Sequence, residues 1–476
     1  MRKIFLVLLL AAVAYGQIPL LKTFRLEGAP AAQKGLAGNG ISDIKEGRGV
    51  LWFGTGHGLS RTRDQGETFD TFSSAQGLGY GSVSGLYVSG DTILVATATD
   101  TITKVSSESL AKGTGLSFTY DGGQTWTRVA QPGVTPVQNL AYDIEVVDGV
   151  IWMACFGGGL MKSEDGGKTW QVAPPDTFIF EPGSRLNHRA FALAQGDGAL
   201  YAGTAEGVNK SMDNGRTWVN FNRNNQAQPL SGNFITALAF QKTKSKSIIW
   251  AASWKAEGSN EFYAVSKSEN GGLAWQTMLK DEQAHNFAFD DSVVYVACDN
   301  GLYKSVDYGV TWYLFPPMRD AESSNRVYDP ETDSAWARDG VLWVGTTDGL
   351  ARTKDNGYTW KVFRAFVATG PTGQPRTYAY PNPFSYTRHN VLGGDGHVRF
   401  QYNSKADTRV TIKVFDYAMD LVKTVVEDEF RHGPADYSDI WTGRNDYGDQ
   451  VANGVYFYKV ELKDDGTYWG KILIVN

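Results

Sequence analysis

Short apolar runs separated by turn residues dominate the chain between residues 40 and 366. Runs such as 51–53 (Leu-Trp-Phe) and 342–344 (Leu-Trp-Val) are each followed by Gly-Thr, and Gly or Asp stands close by on either side. Runs of this length are too short for helices and predict buried β-strands. Near the C-terminus, Val410, Ile412 and Val414 alternate with polar residues, which is typical of a half-buried strand. The pattern predicts an all-β protein.

One eight-residue motif, called the octet below, occurs seven times. Its pattern is Ser/Thr-x-Asp-x-Gly-x-Thr-Trp, as in 119–126, and successive copies lie 57, 44, 48, 57, 37 and 48 residues apart. The acidic position holds Asp64, Asp121, Asp165, Asp213, Asn270, Asp307 and Asp355. Each copy comes with about four short apolar strands, which is the content of one β-propeller blade. The repeat therefore predicts a seven-bladed propeller.

The octet resembles the Asp box, or BNR repeat, of sialidases, sortilin-type receptors, xyloglucanases and photosystem II assembly factors. The resemblance implies that each octet is the turn between the third and fourth strands of a blade. In such a turn the Asp accepts backbone N–H bonds, the Gly supplies a positive φ, and the Trp packs between blades. The seven acidic-position residues are accordingly predicted to be structural.

The amino-acid composition excludes some classes of protein and of binding partner. The chain has 54 Gly and 14 Trp, which favours tight turns and a packed interior over disorder. Its formal charge of −6 argues against a nucleic-acid partner. Cys155 and Cys298 fall at the same strand position in the third and sixth repeats, nearly opposite each other on a ring. A disulfide needs Cα atoms within about 7 Å, so both are predicted to be unpaired thiols.

The N-terminus has the pattern of a secretory signal peptide at residues 1–16. Arg2 and Lys3 precede an apolar run at 4–13, and small residues follow before Gln17. That run is shorter than the about 20 residues that span a bilayer, and no later run is longer. We predict export, with no transmembrane segment after signal removal.

A different pattern begins after the repeats. Residues 366–378 form a predicted Gly- and Pro-containing linker, and 379–476 contain predicted strands at 397–402, 409–416, 421–426, 455–462 and 468–475. These strands predict an Ig-like sandwich.

Several C-terminal motifs are specific enough to compare with known families. Tyr-Pro-Asn-Pro-Phe at 380–384, Trp-Thr-Gly-Arg-Asn-Asp-Tyr-Gly at 441–448 and Asn-Gly-Val-Tyr-Phe-Tyr at 453–458 carry the resemblance. They resemble the Ig-like domain of flagellar hook-capping proteins and, equally, the type A sorting domain of type IX secretion substrates. The resemblance implies a sorting or anchoring domain that engages secretion machinery, and a plain spacer sandwich is the alternative.

Long insertions indicate where a ligand would bind. They fall between second and third strands (98–115, 254–261) or between blades (173–188, 220–232, 315–334), and these loops share the face opposite the octets. The polar and aromatic candidates for ligand binding on that face are Phe156, Arg185, His188, Arg223, Trp254 and Arg319.

Enzyme motifs are weak or missing in the sequence. No Arg-Ile-Pro segment of the sialidase type occurs, and xyloglucanase-type enzymes have two propellers where this chain has one. Asp299, Asp348 and Glu206 lie in short loops, but their separations cannot be read from sequence. The six His residues show no metal-ligand spacing, and no phosphate loop or nucleophile elbow occurs, so no metal, cofactor or catalytic residue is predicted.

The combined prediction is an exported bacterial, non-catalytic binding protein. Its propeller face would bind a glycan or a protein, and its C-terminal domain would serve type IX secretion or surface attachment. The first alternative is a secreted glycoside hydrolase of the sialidase or xyloglucanase type. The second is an assembly factor for a membrane complex.

Overall fold

The computed structural model describes residues 33–102, 109–133, 138–256, 260–320, 325–370, 375–391 and 394–476. The predicted signal peptide at 1–16 lies outside these residues. Strands make up 54% of the structure. The only helical segments among the described residues are two short 3-10 turns, Ser74–Gln76 and Leu186–His188. The all-β prediction is therefore confirmed. Within the described ranges, no helix combines the length and the hydropathy that a membrane crossing requires.

The chain divides into two compact units. The first contains Ala37–Pro316 and Pro330–Leu350, and the second contains residues 33–36 together with Pro317–Asp329 and Ala351–Asn476.

The first strand is β1 (Gln33–Gly35), which pairs with β30 (Ala365–Val367). Between them, seven groups of four strands follow in chain order: β2 (Ile41–Gly47), β3 (Val50–Thr55), β4 (Gly58–Thr62) and β5 (Asp70–Phe72); β6 (Ser82–Ser89), β7 (Thr92–Ile102), β8 (Ser109–Thr119) and β9 (Thr127–Val129); β10 (Ala141–Val147), β11 (Val150–Cys155), β12 (Gly159–Ser163) and β13 (Gln171–Val172); β14 (Ala190–Gly196), β15 (Ala199–Thr204), β16 (Gly207–Ser211) and β17 (Val219–Phe221); β18 (Phe234–Lys242), β19 (Ser247–Trp254), β20 (Ala264–Ser268) and β21 (Gln276–Met278); β22 (Ala284–Asp290), β23 (Val293–Cys298), β24 (Gly301–Ser305) and β25 (Tyr313–Leu314); β26 (Thr332–Arg338), β27 (Val341–Thr346), β28 (Gly349–Thr353) and β29 (Lys361–Phe363).

Each group of four consecutive strands forms its own four-stranded sheet, and the sheets are numbered 1 to 7 below. The first strands of the sheets contact one another in chain order, from β2 through β6, β10, β14, β18 and β22 to β26. Strand β26 in turn contacts β2, so the first strands form a closed ring.

Every octet connects the third and fourth strands of its sheet, and six of the seven do so with the same three hydrogen bonds to the Asp carboxylate. In sheet 4, Ser211 Oγ donates to Asp213 Oδ1 (2.9 Å), while Thr217 donates its N–H to Oδ1 (2.8 Å) and its hydroxyl to Oδ2 (2.7 Å). Sheet 5 has Asn270 and Ala274 at the corresponding positions, where the Ser268 hydroxyl (2.8 Å) and the Ala274 N–H (2.9 Å) both donate to Asn270 Oδ1 and the bond from a Thr hydroxyl is missing. The two differences, Asn in place of Asp and Ala in place of Thr, belong together. The amide nitrogen of Asn cannot accept the hydrogen bond that a Thr hydroxyl would donate to the second carboxylate oxygen.

Aromatic residues of the octets pack against the neighbouring sheet. Trp152 on β11 is fully buried and meets Trp218 of the sheet 4 octet edge to face, with ring centroids 6.0 Å apart. Gly215 of that octet has a φ of +80°, and a Cβ there would lie 2.2 Å from Trp152 Cη2. Trp250 and Trp312 repeat the contact between sheets 5 and 6 at 6.3 Å. The octet glycine is thus required both by its backbone angle and by the neighbouring ring.

Cys155 and Cys298 are the last residues of β11 and β23, in sheets 3 and 6, so their predicted strand position is confirmed. Both are buried free thiols, and burial raises the pKa of each.

The C-terminal strands form two sheets around one core. Their bounds are β31 (Thr377–Tyr380), β32 (Val398–Ser404), β33 (Thr408–Phe415), β34 (Leu421–Arg431), β35 (Ala435–Trp441), β36 (Gly454–Leu462) and β37 (Gly466–Ile474). The sheet orders are β31-β32-β35 and β34-β33-β36-β37. Phe400 on β32 lies 4.5 Å from Tyr458 on β36, ring centroid to ring centroid, so the two sheets share their buried faces. All five predicted strands are present, and β31 and β35 were not predicted.

Candidate functional site

A β-bulge occurs at the same place in the first strand of all seven sheets. In each case the pairing with the second strand skips one residue near the start of the strand. The skipped residues, called the bulge residues below, are Ser42, Ser84, Tyr142, Phe191, Thr236, His285 and Asp333. All seven line a single cavity of about 240 Å³. Since a bulge redirects the side chain of the extra residue, the seven bulges together build this cavity.

An arc of aromatic rings borders one half of the cavity. Tyr142 and Phe191 have ring centroids 5.5 Å apart, Phe191 and Phe234 4.5 Å apart, and Phe234 and Trp254 6.4 Å apart. Phe156 extends the arc outward at 5.8 Å from Phe191. These five residues, the aromatic arc, come from sheets 3, 4 and 5 and offer flat apolar faces to a ligand.

Charged side chains also line the cavity. Asp143 accepts N–H bonds from Ile144 (2.9 Å) and from Leu193 on the next sheet (2.8 Å). Burial raises the pKa of Asp143 to about 7, opposed by the charge of Lys45 and reinforced by Asp43 and Glu145. Burial likewise raises the pKa of the other two carboxyls. The carboxyl of Asp143 therefore titrates near neutral pH inside the cavity.

Three potential metal ligands lie close together, and one of them is the bulge residue His285. His285, Asp299 and Glu331 place one ligand atom each within 4.8 Å of one another, and His285 Nε2 lies 2.6 Å from Asp299 Oδ1. Burial opposes protonation of His285, but the bond to Asp299 and nearby carboxylates raise its pKa above the usual value. A His nitrogen and two carboxylate oxygens are a donor set that divalent metals accept. The three residues come from separate segments, so no spacing motif in the sequence reveals them.

Two hydroxyl groups of the bulge residues have no hydrogen-bond partner in the part of the chain that the structure describes. They are Ser84 Oγ and Thr236 Oγ1, and both atoms are buried. The Ser84 residue is only 7% exposed, yet it lines the cavity. Buried polar atoms without partners are uncommon in folded proteins, so these two are available to a ligand.

Two of the residues predicted from sequence belong to this site. Trp254 lines the cavity directly, and its indole N–H donates to the Ala284 carbonyl at 3.3 Å. Phe156 packs on the arc, where the Arg189 guanidinium stands 5.6 Å from its ring centroid.

The other four are not among the residues that line the cavity. His188 is fully buried, with its ring nitrogens 2.9 Å from the Glu181 N–H and 3.0 Å from Asp176 Oδ1. Arg185 stacks 3.6 Å from the ring centroid of Phe178. The remaining two are Arg223, which donates to the carbonyls of Leu230 and Ser231, and Arg319, which is exposed and belongs to the second compact unit.

Sequence reasoning missed the bulge residues as a set, although the sequence contains a signal for them. In six of the seven sheets the bulge residue stands ten residues before a large apolar residue of the second strand, as with Tyr142 and Trp152. In sheet 5 the hairpin between β18 and β19 is longer, and the spacing from Thr236 to Trp250 is fourteen. Aligning the repeats on their second strands would therefore identify six of the seven bulge residues.

Comparisons with known proteins identify the fold. No protein-family model matches the chain, and no curated protein sequence matches it. Among solved structures, a GH74 enzyme of Niastella koreensis is similar at 13% identity and a TM-score of 0.53, covering 93% of this chain and 74% of its own. YCF48 of Cyanidioschyzon merolae aligns at 17% identity and a TM-score of 0.45, covering 70% of this chain and 99% of its own. PorZ, a surface component of the type-IX secretion system of Porphyromonas gingivalis, aligns at 15% identity and a TM-score of 0.39, covering 90% and 64%. The GH74 likeness, at this identity, shows the fold alone: the chain contains a β-propeller.

Proposed function

We propose that this protein is an exported, non-catalytic binding protein whose ligand enters the cavity formed by the bulge residues. Its parts would be a signal peptide (1–16), a seven-bladed Asp-box propeller (17–365), a linker (366–378) and an Ig-like sorting or anchoring domain (379–476). The observation that carries the proposal is the cavity itself, because all seven first strands direct a side chain into it.

Seven blades are supported by the seven four-stranded sheets and by the contact of β26 with β2, which closes the ring of first strands. The Asp-box assignment is supported by the hydrogen bonds of the octets. They occupy both carboxylate oxygens of Asp213 inside its own turn, which leaves that side chain a structural role.

A glycan or a protein is the expected ligand class, because flat aromatic faces beside polar groups suit both. The test is a glycan and peptide array probed with the full chain and with Trp254→Ala. Tyr120→Ala is the matched control, since Tyr120 is exposed in the sheet 2 octet and does not line the cavity. We expect Trp254→Ala to lose at least about tenfold in affinity and Tyr120→Ala to bind normally. Equal binding by both variants would place the site elsewhere.

The glycoside hydrolase alternative is favoured by one observation, the raised pKa of Asp143. A carboxyl that stays partly protonated at neutral pH is suited to general acid catalysis. Sugar release from polysaccharides that Asp143→Asn abolishes would establish this alternative. The assembly-factor alternative uses the same cavity with a protein client, and co-purification of a membrane complex would identify it.

The sorting role of 379–476 rests on its sequence motifs and on its two sheets with one shared core. Fusing these residues to a periplasmic reporter, in a bacterium with type IX secretion, tests it. We expect the fusion to reach the cell surface and the unfused reporter to remain in the periplasm. A fusion that stays in the periplasm would support the spacer role instead.

A further inference from the structure

We propose that the cavity binds the cationic side chain of a basic peptide, with the charged group among the cavity carboxyls and the stem of the side chain against the aromatic arc. This inference rests on the proposed function and names its ligand class. The cationic group is a guanidinium or an ammonium, and the partner is an extended segment that contains Arg or Lys.

The volume of the cavity fits one side chain. Sites that enclose a whole drug-sized ligand measure about 300–1,000 Å³, whereas this cavity measures about 240 Å³. A larger partner would therefore insert one anchoring group and remain mostly outside. Anchoring side chains of this kind carry a large share of the binding energy in protein interfaces.

Charge favours a cation over an anion. Four carboxyl side chains line the cavity against one lysine and one histidine: Asp43, Asp143, Glu145 and Asp333 against Lys45 and His285. The single lysine already lies 3.5 Å from Asp43, which leaves the remaining carboxyls in excess. An anionic ligand would meet net repulsion, and a neutral sugar would leave the excess negative charge of the cavity uncompensated.

The aromatic arc suits the same ligand. Guanidinium and ammonium groups are attracted to aromatic faces, and the long stems of Arg and Lys pack on apolar surface. The chain uses this contact itself, since the Arg189 guanidinium stands 5.6 Å from the Phe156 ring. The hydroxyl oxygens of Ser84 and Thr236, buried and without partners among the described residues, are acceptors for the N–H groups of the ligand.

Binding should release a proton near neutral pH. Asp143 faces Asp43 and Lys45 from sheet 1, Glu145 on its own strand and the Leu193 N–H from sheet 4, and its pKa is about 7. A bound cation favours the ionised carboxylate, so affinity should rise as pH increases through 7 and then level off. If the ligand binds only the ionised form, affinity gains about tenfold from pH 6 to pH 8.

The test uses the full chain and isothermal titration calorimetry. The probes are acetyl-Gly-Gly-Arg-Gly-Gly-amide and the same peptide with citrulline, which keeps the shape of arginine without its charge. We expect the Arg peptide to bind at least about tenfold more tightly than the citrulline peptide. Asp143→Asn should reduce Arg-peptide affinity and weaken its pH dependence, because the amide does not titrate whereas the other cavity carboxyls and His285 still do. Tyr120→Ala should change neither.

The outcomes separate this inference from the proposed function. Equal affinity for the two peptides, or a preference for an acidic peptide or neutral glycan that Trp254→Ala abolishes, overturns the cationic ligand but retains the cavity as a binding site. Failure of every array ligand and both peptides to bind overturns both. Tight Arg-peptide binding that Trp254→Ala and Asp143→Asn leave unchanged also overturns the inference, because the peptide then binds elsewhere.

Discussion

The contact between Gly215 and Trp152 gives a quantitative test of how the sheets are locked together. We expect Gly215→Ala to destabilise the protein in two ways. Its φ of +80° strains any residue with a Cβ, which costs about 1–2 kcal/mol. The new Cβ would also lie 2.2 Å from Trp152 Cη2, and overpacking of this kind costs about 1–3 kcal/mol more.

Gly149→Ala is the matched control. Gly149 has a φ of +81°, but a Cβ there would meet no atom within 4 Å, so only the backbone strain of about 1–2 kcal/mol should appear. The difference between the two alanine variants therefore measures the contact with the Trp152 ring alone.

A double-mutant cycle completes the test. Trp152→Phe removes the Cη2 atom and with it the clash, so Gly215→Ala should cost less in that background by about 0.5–3 kcal/mol. Trp152→Phe itself is destabilising, because the indole N–H also donates to Asn214 Oδ1 at 2.9 Å. Urea unfolding followed by tryptophan fluorescence gives the four free energies. Equal losses for Gly215→Ala and Gly149→Ala, or no rescue by Trp152→Phe, would refute the locking role.

Three further predictions concern other parts of the chain. Hydrogen bonds within the octets lower the pKa of four octet aspartates to about 2, so their stabilisation is present above about pH 4 and is lost as pH falls toward 2. Thermal melts across this range should show a falling Tm that flattens when those aspartates are changed to Asn. Cys155 and Cys298 should resist iodoacetamide in the native protein and react after unfolding, and a disulfide between them in mass spectrometry would contradict the ring arrangement. Arg431→Met should cost about 1–3 kcal/mol by leaving the half-buried Asp439 without its ion-pair partner at 3.0 Å, whereas Arg431→Met with Asp439→Leu should recover most of this loss in a calorimetric melt.

The sequence predicted the repeated architecture well because the octet combines constraints that are local in the chain. Asp213, Gly215 and Thr217 form their hydrogen bonds within one turn, so their spacing is visible in the sequence. Strand β35 was missed because Ala435–Trp441 lacks a clear apolar alternation and is held by pairing with the distant β32.

The site was only partly predictable for a related reason. Trp254 was predicted as a ligand-binding residue because it begins the long insertion at 254–261, and it does line the cavity. His285, Asp299 and Glu331 meet only when two neighbouring sheets are assembled, and the raised pKa of Asp143 arises mainly from burial that the assembled sheets produce. Such juxtapositions over long sequence distances leave no local pattern.

Photo-crosslinking tests the central claim most directly, that the ligand binds at the cavity of the bulge residues. Benzoylphenylalanine would replace Phe156, on the aromatic arc, in one sample and Tyr120, in the sheet 2 octet, in another, each exposed to the ligand found by array. We expect crosslinks from position 156 and none from position 120. Crosslinks from position 120 alone, or equally from both, would contradict the account.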